Sequence, residues 1–173
     1  MKGTIVTCLA EMVTEQFGEA KWQAALEGAG LRPDARFLHH QDIEDASVMR
    51  LVASVCKTLD ITLAQAADAF GDYWMNAYAP RIYKPFFKAA GSAKEFLLKL
   101  DQVHVAITQN MPGAHPPRFE YTWRDGNTLI MTYSSERNMI DFVVGLAKGV
   151  GRYYKTNLKV TKRGTGSVEV VFP

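Results

Sequence analysis

The stretch MPGAHPPRFEYTWRDGNTLIMTYSSER, Met111 to Arg137, decides the fold, because inside it the spacing of apolar residues changes. Phe119, Tyr121 and Trp123 alternate with Arg118, Glu120 and Thr122, and Leu129, Met131 and Tyr133 alternate on the far side of Asp125-Gly126. A period of two on either side of an Asp-Gly turn is the pattern of a β-hairpin. Pro112-Gly113 and Pro116-Pro117 separate it from whatever precedes it.

Everything upstream reads as helix. Ile5, Leu9, Met12, Val13 and Phe17 share one helical face, and Gly18 supplies a stop. Trp22, Ala25 and Leu26 mark a second, short helix ended by Gly28-Ala29-Gly30, and Leu31 to Gln41 reads as a connection. Val48, Leu51, Val52, Val55 and Leu59 restore the helical period. Thr62 with Gln65, and Ser92 with Glu95, have capping-box spacing. The first box opens a helix with Leu63, Ala66, Ala67, Phe70 and Trp74 inward, ending before Pro80. The second opens a helix burying Leu97, Leu100, His104, Ile107 and Met111, broken by Pro112-Gly113. Downstream of the hairpin, Met139, Phe142, Val143, Leu146 and Val150 predict a helix from about 138 to 152. Leu158 and Val160, then Val168, Val170 and Phe172, predict two strands around Gly164-Thr165-Gly166. Helices followed by a mixed helix and antiparallel-sheet part give the class α+β.

Composition narrows the function. With 47% hydrophobic and 22% charged residues, the 173-residue chain is globular rather than disordered. A net charge of +2 is too small to suggest nucleic acid or an anionic membrane as partner. Without a bilayer-length apolar run or a secretory signal, a cytoplasmic location is expected. Cys8 and Cys56 suit a reducing compartment and read as small buried apolar residues.

Two features carry chemistry. His104 sits on an apolar stripe, where it is either a core histidine satisfied by a backbone carbonyl or an axial ligand to haem iron. Tyr133, Ser135 and Arg137 would point the same way from a strand leaving the sheet. Two hydroxyls and a guanidinium suit a pair of carboxylates, and the bland alternative is a polar strand end capping the next helix.

The buried histidine, the Pro-Pro after its helix and the Y-x-S-x-R pattern together resemble the haem nitric oxide/oxygen binding family, in its stand-alone bacterial type. The likeness runs over essentially the whole chain. It takes in Met1-Lys2-Gly3-Thr4-Ile5-Val6, Ala69-Phe70-Gly71-Asp72-Tyr73-Trp74, Asp101-Gln102-Val103-His104, Met111 to Pro117 and Gly145-Leu146. The resemblance implies the H-NOX fold as one domain over 1–173. A distal helical lobe would cover about 1–60 and a proximal lobe of helices and antiparallel sheet about 61–173, with haem b between them.

It also implies roles. His104 becomes the iron ligand, and Tyr133, Ser135 and Arg137 the propionate clamp. Pro117 presses on the macrocycle from one side and Ile5 packs on the other, with Leu9, Trp74, Tyr78, Phe142 and Leu146 lining the pocket. Oxygen-binding relatives carry a tyrosine where Phe142 stands, so the resemblance implies a sensor of nitric oxide, with carbon monoxide as a weaker ligand. The alternative is an oxygen sensor with Trp74 or Tyr78 as donor. Nitric oxide would weaken the iron bond to His104, free its helix and shift the lobes, a signal rather than a reaction. A chain ending at Pro173 is expected to act in trans, on a histidine kinase or a cyclic-di-GMP enzyme. A haem enzyme would want a distal His and Arg, whereas His39, His40 and His115 fall in connections. The cluster Lys148, Arg152, Lys155, Lys159, Lys162 and Arg163 is either a solvated face or a docking patch for an acidic partner.

Overall fold

Gly18 ends the first helix with a φ of 91°, a conformation open only to a residue without a Cβ. It separates α1 (Gly3–Phe17) from α2 (Glu19–Gly28). A longer connection leads to α3 (Asp45–Leu59), which closes on Asp60 in the left-handed region. The Leu31–Gln41 connection caps α1, with His39 and Gln41 offering carbonyls to the N–H groups of Thr4 and Gly3 at 3.0 and 2.8 Å. These are amides the first turn of a helix leaves orphaned. The computed structural model describes residues 1–173, and the chain divides into two units, Met1–Ala66 and Ala67–Pro173. In the first, Val6, Leu9, Met12 and Val13 of α1, Trp22, Ala25 and Leu26 of α2, and Val48, Leu51, Val52 and Val55 of α3 make the core.

The helix α4 (Leu63–Tyr73) opens with the expected capping box. Gln65 N–H donates to Thr62 Oγ1 at 3.2 Å, and Thr62 N–H donates to Gln65 Oε1 at 2.8 Å. It does not stop before Pro80. A π-helical turn, Trp74–Tyr78, leads directly into α5 (Ala79–Ile82). Ala79 N–H reaches back to the Trp74 carbonyl, five residues away. The extra residue in the turn relieves the clash a proline ring makes with the preceding turn, so the helical path continues. A short α6 (Lys84–Lys88), not expected from the sequence, precedes α7 (Ala93–Thr108).

The hairpin is β1 (Arg118–Trp123) and β2 (Thr128–Ser134), with Phe119 opposite Tyr133 and Tyr121 opposite Met131. Asp125 shapes its turn, its Oδ1 accepting from the Asn127 and Thr128 amides at 3.0 and 2.8 Å. After α8 (Ile140–Tyr153) come β3 (Lys159–Arg163) and β4 (Ser167–Val171), giving an antiparallel sheet in the order β1-β2-β4-β3. Leu158 and Phe172 fall just outside the strands. Leu129, Met131, Val168 and Val170 pack with Phe96 and Leu97 of α7 and Ile140, Val143, Ala147 and Val150 of α8. The fold is α+β, as the change of period implies.

Besides Trp123 at the end of β1, three residues assigned to apolar helix faces are exposed: Phe17, Leu63 and Met111. Each lies at or beyond a helix end, where the next element no longer covers the stripe.

At their closest approach, α4 and α8 meet backbone to backbone. A Cβ on Gly145 would collide with the Ala67 carbonyl, and one on Gly71 with the Gly145 backbone. Gly149 stands in the same way against Gly71. Gly145→Ala is therefore expected to lower stability by about 1–3 kcal/mol, the usual penalty of forcing extra atoms into a packed contact. Gly126→Ala, where an added methyl meets nothing within 4 Å, is the neutral control. Chemical denaturation of both variants checks this; equal midpoints would refute the crossing's role.

Candidate functional site

The helix that carries His104 is anchored at its start and loosens along its length. Ser92 accepts from the Glu95 N–H at 3.1 Å, but the box is only half formed. The Glu95 carboxylate turns to the Gly91 N–H at 2.8 Å and to Lys99 at 2.5 Å instead. Ala93, Phe96 and Leu97 are buried; Leu100, His104 and Ile107 are only partly so, and Val105 is exposed. The predicted stripe thus fades toward its C-terminal end.

His104 Nδ1 lies 3.3 Å from the Pro117 carbonyl oxygen. A carbonyl can only accept, so Nδ1 carries the proton and Nε2 keeps its lone pair. Burial pulls the His104 pKa below the ordinary imidazole value, against the opposing pull of the Pro117 carbonyl and of Asp101. The ring is neutral near pH 7, which is the form that ligates a metal. Its other neighbour is Phe119, at 5.8 Å between ring centres, and Phe119 in turn lies 5.9 Å from Tyr133.

One turn before His104, Asp101 accepts a two-pronged bond from Arg118 Nε and Nη2 at 2.8 and 2.7 Å and a third from Phe119 N–H at 2.9 Å. Its own N–H donates to the Tyr121 hydroxyl at 3.2 Å. The Arg118 guanidinium and the Phe119 amide outweigh desolvation and hold the Asp101 pKa at about 2. Nothing in the sequence pattern assigns Asp101 or Arg118 a role. The available signal was an acidic residue one turn ahead of the histidine and a basic one directly after Pro-Pro.

The Y-x-S-x-R residues are neighbours, though not as one strand face. Tyr133 belongs to β2, but that strand ends at Ser134, so Ser135 and Arg137 lie in the turn beyond it. Tyr133 Oη accepts from Met139 N–H at 3.3 Å, and Ser135 Oγ accepts from Arg137 N–H at 3.3 Å. Because both hydroxyl oxygens are accepting, their own protons remain to be donated outward. Arg137 Nη1 donates to the His115 carbonyl at 2.5 Å.

The aromatic candidates of the second unit form one cluster. Trp74 stacks between Phe70 at 5.8 Å and Tyr78 at 5.4 Å, and Phe70 meets Phe142 edge-on at 5.5 Å. Tyr78 is buried under the Arg81 guanidinium, and Leu146 follows Phe142 by one turn. In the first unit, Leu9 is buried and Ile5 half-buried on α1. The basic cluster is largely neutralised within the chain. Lys148 pairs with Asp68 at 2.7 Å, Lys162 with Asp141 at 2.9 Å, Arg163 with Glu169 at 2.9 Å, and Arg152 with Asp72.

The donor set fits haem. One neutral imidazole with its proton fixed on Nδ1 can complete an iron whose other nitrogens come with the macrocycle, and hydroxyl and guanidinium donors suit two propionates. Pro117 lies partly exposed beside the imidazole that bonds its carbonyl.

The Asp101 pKa lies below its ordinary value of 3.8, so the Asp101–Arg118 pair contributes stability that is complete above that value. It is lost as pH falls through about 2. Asp101→Asn is expected to flatten this part of the acid limb in denaturation curves taken from pH 5 downward. A variant as acid-sensitive as the parent would contradict the assignment.

Comparison with known proteins places the chain. The family model described as Haem-NO-binding matches residues 2–162. Among solved structures, the chain is similar to an oxygen-binding H-NOX domain related to soluble guanylate cyclases, solved as an oxygen complex. That match has 24% identity and a TM-score of 0.81, covering 99% of this chain and 95% of that one. A mutant of T. Tengcongensis H-NOX superposes with a TM-score of 0.85 at 23% identity, over 99% and 97% of the two chains. A Cs H-NOX mutant carrying 4-cyano-L-phenylalanine gives 0.85 at 23%, over 99% and 96%. The structures establish a shared fold and the family model a shared lineage: the chain belongs to the Haem-NO-binding, or H-NOX, family of haem-binding gas-sensor domains.

Proposed function

We propose that this chain senses nitric oxide through haem b, with carbon monoxide as a weaker ligand, and signals to a separate partner. The observation that carries the reading is the contact of His104 Nδ1 with the Pro117 carbonyl, which leaves Nε2 as a free donor on a neutral ring. Haem b, when bound, supplies the ferrous iron that takes up the gas. His104 would ligate that iron through Nε2. Tyr133, Ser135 and Arg137 hold the propionates, the first two through hydroxyl protons and the third through its fork. In the second unit, Pro117 would press on the macrocycle and Trp74, Tyr78, Phe142 and Leu146 would wall the pocket.

Phe142 supports nitric oxide over oxygen. Bound oxygen gains much of its affinity from a hydrogen-bond donor, and a phenyl ring has none. Trp74 and Tyr78 are the remaining donors, and their stacking on Phe70 and under Arg81 supports a packing role. Were the iron to part from His104, the loosely covered half of its helix would be free to move. A partner that prefers one arrangement reads this as a population shift. A histidine kinase or a cyclic-di-GMP enzyme acting in trans is the expected partner.

The test is an absorption spectrum of the reduced, haem-loaded protein with nitric oxide and then in air. A Soret band that shifts with nitric oxide but not with air is expected; a stable oxygen spectrum would make the chain an oxygen sensor. His104→Gly should lose haem and regain it with added imidazole. Phe142→Tyr should raise oxygen affinity by about tenfold, the worth of one hydrogen bond, and an oxygen titration showing no gain would remove Phe142 from the gas-binding face.

A further inference from the structure

Taking His104 as the axial ligand, we propose that Asp101 is a positioning residue. It fixes the segment His115–Phe119 as a strap that orients the His104 imidazole and restrains its helix from leaving the sheet.

The strap is held at three successive points. At its start, the His115 carbonyl takes the bond from Arg137 Nη1 at 2.5 Å. In its middle, the Pro117 carbonyl lies 3.3 Å from His104 Nδ1. At its end, Arg118 and the Phe119 N–H both bond the Asp101 carboxylate, at 2.7 to 2.9 Å. The Tyr121 hydroxyl, further along β1, accepts from the Asp101 N–H. Pro116 and Pro117 have fixed φ and no N–H, so the middle of the strap is stiff and offers only carbonyls. A shift at one attachment therefore passes to the next.

Asp101 is the point where this strap meets the helix. Its carboxylate side chain is only 18% exposed, although Arg118 is open to solvent. C-terminal to it the helix has few such ties. Thr108 Oγ1 bonds back to the His104 carbonyl at 2.7 Å, inside the same helix. Val105 and Met111 face solvent. The tie at Asp101 is thus the hinge about which His104 and the residues after it can swing, and the Pro117 carbonyl is what they swing away from. Arg137 is shared between the strap and the propionates it is proposed to hold, so the two contacts of the haem on this side are coupled through the strap.

The experiment compares Asp101→Asn, Asp101→Glu and Arg118→Gln with Glu95→Gln. The last breaks an ion pair on the same helix that does not touch the strap. Two readouts are used. In the haem-free protein, ¹⁵N NMR of the His104 ring reports the share of the Nδ1–H tautomer. In the haem-loaded protein, resonance Raman reports the iron–histidine stretch, and absorption after nitric oxide reports the share of molecules that have released His104. Asp101→Asn and Arg118→Gln should lower the Nδ1–H share, shift and broaden the stretch, and raise the released share. Asp101→Glu should recover part of each change, and Glu95→Gln should alter none. Variants that lose stability but keep the parent's tautomer and stretch would show a structural role only and overturn the proposal. A parent without a Soret band would overturn the axial-ligand reading itself, a failure distinct from that of Asp101.

Discussion

Ala67–Pro173 is organised around a helix crossing in which backbone meets backbone. Ala67 and Gly71 on α4 and Gly145 and Gly149 on α8 recur four residues apart, the spacing of the ridges that interlock in the commonest class of helix packing. A helix-interior glycine costs about 1 kcal/mol relative to alanine, so three of them are tolerated only where the close approach repays that loss. The crossing also sorts the flanking side chains. Phe70 and Phe142 fall on one side, where their rings touch. Asp68 and Asp72 fall on the other, opposite Lys148 and Arg152. Asn76, one turn on, donates to the Gly149 carbonyl at 3.3 Å and carries the contact into the π-helical turn.

That sorting explains why the basic cluster does not act as a free patch. Read along the sequence, six cations between positions 148 and 163 suggest an acidic partner. In space, two of them brace the helix crossing, Lys162 reaches Asp141, and Arg163 joins Arg124 around Glu169. Glu169 is buried on β4, and a buried carboxylate without such partners would be costly. Most of the positive charge therefore serves the fold.

Local signals were legible where the physics is local. Gly18, the Thr62–Gln65 box and the Asp125 turn work through neighbours a few residues away, and each formed as its sequence implies. The π-helical turn was not legible, because Pro80 reads as a stop unless one knows that α8 holds the preceding helix in place. The site divides in the same way. His104 stands out because an imidazole on an apolar stripe demands an explanation. Asp101 did not, because a carboxylate at the edge of a stripe looks like ordinary surface until β1 brings Arg118 to it from seventeen residues away. Arg137 stands out in the Y-x-S-x-R pattern, but its bond to the His115 carbonyl leaves no trace in the pattern of side chains.

The identity of the His104 partner has a chemical consequence. A carboxylate bonded to Nδ1 would push electron density into the ring and make it a stronger, more tightly held ligand. A charged acceptor is available one turn away in Asp101, yet its oxygens are taken by Arg118 and the Phe119 amide. A neutral carbonyl faces the imidazole instead. The charges of Asp101 and Arg118 also act on His104 in opposite directions, so the arginine offsets part of the carboxylate's pull. In the proposed role, Asp101 acts on the histidine through the strap it ties down. An oriented but weakly polarised imidazole would suit a sensor of the proposed kind, which signals by letting go, whereas a carboxylate-backed histidine would hold on.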